Sequence, residues 1–66
     1  MKFAERLKEL RTDKQLTQKQ LAEEIGFSLS IVNKWENGKK IPNAHALNVL
    51  ADFFGESTDY LLGRID

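Results

Sequence analysis

Sixty-six residues, 41% hydrophobic and 30% charged, make room for one small domain and give a soluble, foldable balance rather than a disordered one. There is no cysteine, which excludes a disulfide framework and a thiolate metal site, and no apolar run approaches the about 20 residues of a membrane span. Ten Lys/Arg balance ten Asp/Glu, yet residues 1–40 carry nine of the bases against six acids, and residues 41–66 carry only Arg64 against four acids. That asymmetry suits the amino-terminal part to a polyanion. No basic stretch followed by an apolar one opens the sequence, so no secretory leader is expected and the expected location is the cytoplasm.

Glycines and polar clusters divide the sequence into five short segments, each with helical spacing. The first runs roughly from Lys2 to Arg11, with Phe3, Leu7 and Leu10 on one face and Ala4 widening it. The second runs from Gln18 to Ile25. Thr17 precedes it and Gln20 follows three residues later, which is capping-box spacing. Leu21, Ala22 and Ile25 form its inner stripe, and Gly26 suits a left-handed residue past its end. The third runs from Leu29 to Glu36 with Ser28 as cap, and Phe27 is spaced to pack on Val32. Asn37-Gly38 ends it.

Pro42 and the cap Asn43 introduce a fourth segment reaching Phe54. Leu47, Leu50, Ala51 and Phe54 form its stripe, and Ala46, Val49 and Phe53 fill much of the remaining circumference. Such a pattern predicts a central, buried helix. A short last helix follows the cap Ser57, carries Tyr60, Leu61 and Leu62, and stops at Gly63. Five helices with tight turns predict a compact all-α domain over residues 1–66.

The second and third segments are separated by little more than Gly26 and Phe27. Two helices joined by a short turn containing glycine make a helix-turn-helix unit. Its second helix has the dimensions to enter the major groove of B-DNA while the first braces the backbone. At about 100° per residue, Ile31, Val32 and Trp35 fall on one face of the third segment, and Leu29, Ser30, Asn33 and Lys34 fall opposite. The outer set suits base edges: Lys34 for guanine acceptors, Asn33 for adenine, Ser30 for either, Leu29 for a thymine methyl. Read without further context, an ordinary amphipathic helix with a solvated outer face explains the same pattern equally well. Glu36 lies at a helix C-terminus, where an acid opposes the dipole, so a cationic partner is expected for it.

Residues 17–38, TQKQLAEEIGFSLSIVNKWENG, resemble the helix-turn-helix of the phage Cro/repressor (XRE-like) family. The matching features are Thr17-Gln18, Leu21-Ala22, Gly26, Ser28, Val32 and Trp35-Glu36-Asn37-Gly38. Phe3 to Arg11 is similar to that family's first helix, Pro42 to Leu50 to its fourth, and Ser57 to Gly63 to its fifth. The resemblance implies a lambda-repressor-like fold and sequence-specific binding of double-stranded DNA by a transcriptional regulator, a repressor before an activator. It implies that Gln18 bonds a phosphate, that Ser28, Leu29, Ser30, Asn33 and Lys34 face DNA, and that Lys39 and Lys40 touch the backbone. Leu29 departs from the polar residues common at its position, and Ile31 from Thr or Tyr; packing is the simpler role for Ile31. The family also pairs the acid at Glu36 with the position of Arg11, which implies an Arg11–Glu36 pair between the first and third helices. A weak homodimer on a near-palindromic operator is the implied assembly.

An enzyme is disfavoured. His45 is the single histidine, and no metal-binding helix motif, nucleophile elbow or phosphate-binding glycine loop occurs. No cofactor, metal, small-molecule substrate or membrane partner is expected. The alternative is a protein-interaction module of the same fold, an antitoxin or a repressor's partner, which zero net charge and Leu29 leave open.

Overall fold

Helix-capping side chains set the boundaries of this fold. The computed structural model describes residues 2–66, and its five helices are α1 (Lys2–Asp13), α2 (Gln18–Ile25), α3 (Leu29–Glu36), α4 (Ala44–Phe54) and α5 (Thr58–Leu62). The first four N–H groups of a helix have no partner inside it. At α2 the Thr17 hydroxyl accepts from the Gln20 N–H at 3.0 Å, and the Gln20 side chain accepts from the Thr17 N–H at 2.8 Å, completing the capping box. Ser28, Asn43 and Ser57 accept from the backbone N–H three residues on, at 3.1, 2.8 and 3.0 Å. Each such cap is worth about 1 kcal/mol. Gly26 closes α2 with φ 78°, a conformation that costs a Cβ-bearing residue but not glycine. This sharp left-handed turn lets α3 start with only three residues between it and α2.

One boundary differs from the sequence reading. α1 continues past Arg11 to Asp13, with the Thr12 hydroxyl donating back to the carbonyls of Lys8 and Glu9 at 2.9 and 3.0 Å, so that Thr12 sits within the last turn instead of ending it. The chain then reverses at Gln15, a non-glycine residue with φ 59°. No glycine or proline marks this turn in the sequence.

The core joins all five helices. Phe3 and Leu7 of α1, Leu21 of α2, Val32 and Trp35 of α3, Leu50 of α4 and Leu61 of α5 are the deepest side chains. α1 packs on α3 and α5, α2 on α3 and α4, and α4 on α5. Phe27 sits half-buried with its ring 5.3 Å from that of Trp35, so the residue spaced to pack on Val32 meets the indole. The Trp35 Nε1 is buried without a hydrogen-bond partner among the described residues. Such an orphan costs about 1–3 kcal/mol, which burial of so large a ring offsets.

The expectation that α4 is the central helix does not hold. Only Ala46, Leu50 and Ala51 of α4 are buried, while Leu47, Val49, Phe53 and Phe54 are half-covered. A 66-residue fold has too few layers to surround one helix on every side. Each of the five helices instead contributes one or two fully buried side chains. At the end of the chain Leu61 is buried, but Leu62 is 39% and Ile65 52% exposed, so these two do not join the core with it.

Candidate nucleic-acid interface

The site begins with a part-buried ion pair that fixes α3 against α1. Arg11 donates from Nε to Glu36 Oε2 at 2.6 Å and from its second terminal nitrogen to Oε1 at 2.9 Å. The side chains are only 11% and 2% exposed. The remaining guanidinium nitrogen donates to the Leu16 carbonyl at 2.7 Å, which also ties down the turn between α1 and α2. The planar fork of arginine matches a carboxylate in this two-bond manner, and its charge offsets an acid at the wrong end of the α3 dipole. The Arg11–Glu36 pair that the sequence implied is therefore present and joins the expected helices.

Gln18, the first residue of α2, adds a third donor. Its Nε2 donates to Glu36 Oε1 at 3.1 Å. Its own oxygen accepts from Asn33 Nδ2 at 3.2 Å, and Asn33 Oδ1 accepts from Asn37 Nδ2 at 3.0 Å. The helix-turn-helix is thus pinned twice: by apolar packing through Leu21, Ala22, Val32 and Trp35, and by a polar chain along its outer edge. The sequence reading assigned Gln18 to a phosphate and Asn33 to a base edge, and paired neither with the other or with Glu36. A pairing between residues fifteen or eighteen positions apart leaves no periodic trace to find it by.

On the outside of α3, Leu29, Ser30, Asn33 and Lys34 are all exposed, and Ile31 is half-buried against the core. Leu29 is 47% exposed, a large aliphatic group at the tip of the helix. Ser28 is exposed, and its hydroxyl is engaged as the α3 cap. Lys39 and Lys40 follow on the exposed loop after α3, where the Lys39 N–H closes the helix end on the Lys34 carbonyl at 2.9 Å. The structure therefore brings Leu29, Ser30, Asn33 and Lys34 onto one face, sets Gln18 beside them, and places the two loop lysines beyond the end of the same helix.

The electrostatics of this region leave positive charge unspent. Among the described residues the ion pairs are Arg6–Asp66, Arg11–Glu36 and Arg64–Asp59, so Lys34, Lys39 and Lys40 have no acidic partner. Neither α2 nor α3 carries an acid in its first turn. At α2 the box uses the Gln20 N–H, and the Leu21 N–H bonds the Thr17 carbonyl at 2.9 Å. Among the described residues the N–H groups of Gln18 and Lys19 have no partner at the positive end of the dipole, an arrangement that attracts an anion.

Comparison with known proteins places the chain in a family. Residues 4–66 match the helix-turn-helix domain family, and the chain belongs to it. It is 47% identical over 62 residues to the HTH-type transcriptional activator BcrR of Enterococcus faecalis, covering 94% of this chain and 30% of that protein. It is 42% identical over 64 residues to the cryptic phage CTXphi transcriptional repressor RstR of Vibrio cholerae, covering 97% of this chain and 57% of that protein. Over 45 residues, 68% of this chain and 32% of the relative, it is 44% identical to multiprotein-bridging factor 1a of Arabidopsis thaliana. The chain thus spans between about a third and a little over half the length of these relatives. No helix among the described residues is long and apolar enough to cross a membrane.

Proposed function

We infer that this chain is a sequence-specific reader of double-stranded DNA that regulates transcription, with α3 in the major groove. The observation that carries the reading is the single exposed face of Leu29, Ser30, Asn33 and Lys34 on a helix locked to its neighbours by the Arg11–Glu36 pair. Phosphate contacts fix register and base contacts specify sequence. Gln18 with the open N–H groups at the start of α2, Lys39 and Lys40 take the first role. Leu29, Ser30, Asn33 and Lys34 take the second, with Ser28 at the entry of the helix. The names of the relatives support regulation in both directions, since one is an activator and another a repressor. Occupying a site is enough to exclude a competitor from it, so the minimal action of this domain is repression.

The described residues extend 27 × 23 × 19 Å, less than the about 34 Å of one DNA turn, so one copy covers one half-site. Two copies on a near-palindrome, held weakly, complete the operator, and the exposed Leu62 and Ile65 at the acidic end are available for the pairing. The relative named as a multiprotein-bridging factor favours a second reading, a protein-interaction module on the same scaffold.

Selection from a random duplex pool at near-physiological salt, with Lys34→Ala beside the native chain, separates these. A two-fold motif that loses one base preference in the variant, at about 1–3 kcal/mol, is expected if Lys34 reads guanine. A uniform loss with a salt slope lower by about one makes Lys34 a phosphate contact. No enrichment by the native chain, alone or fused to a dimeriser, contradicts DNA reading and favours the interaction module.

A further inference from the structure

We propose that Glu36, which faces the protein interior, sets the base preference of Asn33 by fixing the orientation of two side-chain amides in series. The proposal rests on the DNA-reading function above and names a positioning residue within it. A carboxylate can only accept hydrogen bonds. Glu36 Oε1 lies 3.1 Å from the end of the Gln18 side chain, so the group facing it is the Gln18 NH₂. The oxygen and nitrogen of an amide have nearly the same shape, and only their partners distinguish them. Here the carboxylate makes the choice.

The rest follows link by link. With its NH₂ turned to Glu36, Gln18 offers its oxygen to Asn33, 3.2 Å away, so Asn33 turns its own NH₂ toward Gln18. The Asn33 oxygen then faces Asn37, which donates to it at 3.0 Å. All three separations lie in the N–H···O range. Asn33 keeps one free N–H and one free lone pair on its exposed side, in a fixed order along α3. Adenine presents an acceptor, N7, beside a donor, the N6 amino group, and an amide matches that edge in one orientation only. A flipped Asn33 at the same backbone position meets donor with donor and acceptor with acceptor. The Arg11–Glu36 pair is 11% and 2% exposed, so it touches no base. Its influence on sequence choice runs through Gln18.

This separates two roles that a single substitution would confuse. Arg11→Met/Glu36→Met replaces the pair by unbranched apolar groups, a kind of exchange that buried pairs often tolerate without loss of stability. It leaves Gln18 without its anchor. Gln18→Leu cuts the relay one step later and leaves the ion pair intact. The position read by Asn33 is first located with Asn33→Ala in the duplex selection. Freeing an amide to take both orientations costs about twofold through population alone, and loss of its held position adds to that. We expect discrimination for adenine at that one position to fall by roughly threefold or more in both relay variants relative to the other positions. Gln18→Leu also removes a phosphate contact, so its overall affinity falls across all sequences. The double variant, which keeps Gln18, shows the selective loss without that change. Thermal melting run alongside establishes that each variant is folded, and Gln18→Leu carries the test if the double variant is not.

In the DNA-free native protein, nuclear Overhauser contacts should join the Gln18 side-chain amide protons to the Arg11 guanidinium protons. Unchanged preference at the Asn33 position in folded variants overturns the proposal, and so do Gln18 amide protons that face away from Glu36. The Overhauser contacts involve no DNA. They judge the relay even if the native chain enriches no sequence, an outcome that would overturn the DNA-reading function and with it the consequence for base choice.

Discussion

Arg11 and Arg6 both leave α1, and the two regions they serve are built from different chemistry. Arg11 enters a polar chain through Glu36, Gln18, Asn33 and Asn37. Among the described residues every hydrogen bond between two side chains lies within residues 11–37. Arg6 instead reaches the end of the chain, donating to the backbone carbonyls of Tyr60 and Ile65 and lying 4.2 Å over the Tyr60 ring. In α4 and α5 polar side chains cap helices, and the Arg64–Asp59 pair sits in solvent. Backbone carbonyls and apolar contacts hold an element in place but do not orient an outward-facing amide. A chain of directional side-chain bonds does both. The polar network therefore lies beside the exposed face of α3, and the carboxy-terminal helices supply burial.

The largest effect that sharpens this contrast is expected at Arg11. Breaking one partner of a buried ion pair costs about 3–5 kcal/mol. A domain of this length has only about 3–10 kcal/mol in total, at roughly 0.05–0.15 per residue. Urea denaturation of Arg11→Ala should show most of the stability gone, with Arg11→Met/Glu36→Met much nearer the native value. A double-mutant cycle without coupling between the two positions would make the pair incidental. The smallest effect is expected at Asp59→Asn in the other region. The Arg64–Asp59 contact is 3.6 Å long with side chains 73% and 59% exposed, so solvent screens it. A change below about 0.5 kcal/mol is expected in the same assay. A loss above 1 kcal/mol would mean that α5 relies on side-chain polarity after all, and the contrast would fail.

Much of this architecture is legible in the sequence because its signals are local. Thr17 with Gln20, Ser28, Asn43 and Ser57 announce helix starts, and Gly26 announces the turn that makes the helix-turn-helix. Each acts within three or four residues of itself. The outer face of α3 is legible for the same reason, as a fixed angle per residue. What escaped depends on distance along the chain or on a competition. Arg6 looks like a solvent-facing base until Tyr60 and Ile65 come round to meet it, 54 and 59 residues away. The break before α2 was legible at residues 12–15, but the left-handed backbone of Gln15, φ 59°, has no glycine to announce it. The apolar circumference of α4 signals burial, but the other helices cannot cover all of it. Gln18 is expected from the family resemblance to bond a phosphate; its place as the link between Glu36 and Asn33 was not legible. The Arg11–Glu36 pair was within reach because a misplaced acid demands a cation and the family resemblance supplied its position.

If the network-bearing half of the molecule faces DNA, the backbone amide spectrum of ¹⁵N-labelled protein, titrated with a duplex taken from the selection, will show it. Shifts are expected to concentrate at residues 17–20, 28–34 and 39–40, with α5 and the residues after it little changed apart from any dimer contact at Leu62 and Ile65. Shifts concentrated on the exposed side of α4 and α5, with α3 silent, would contradict it.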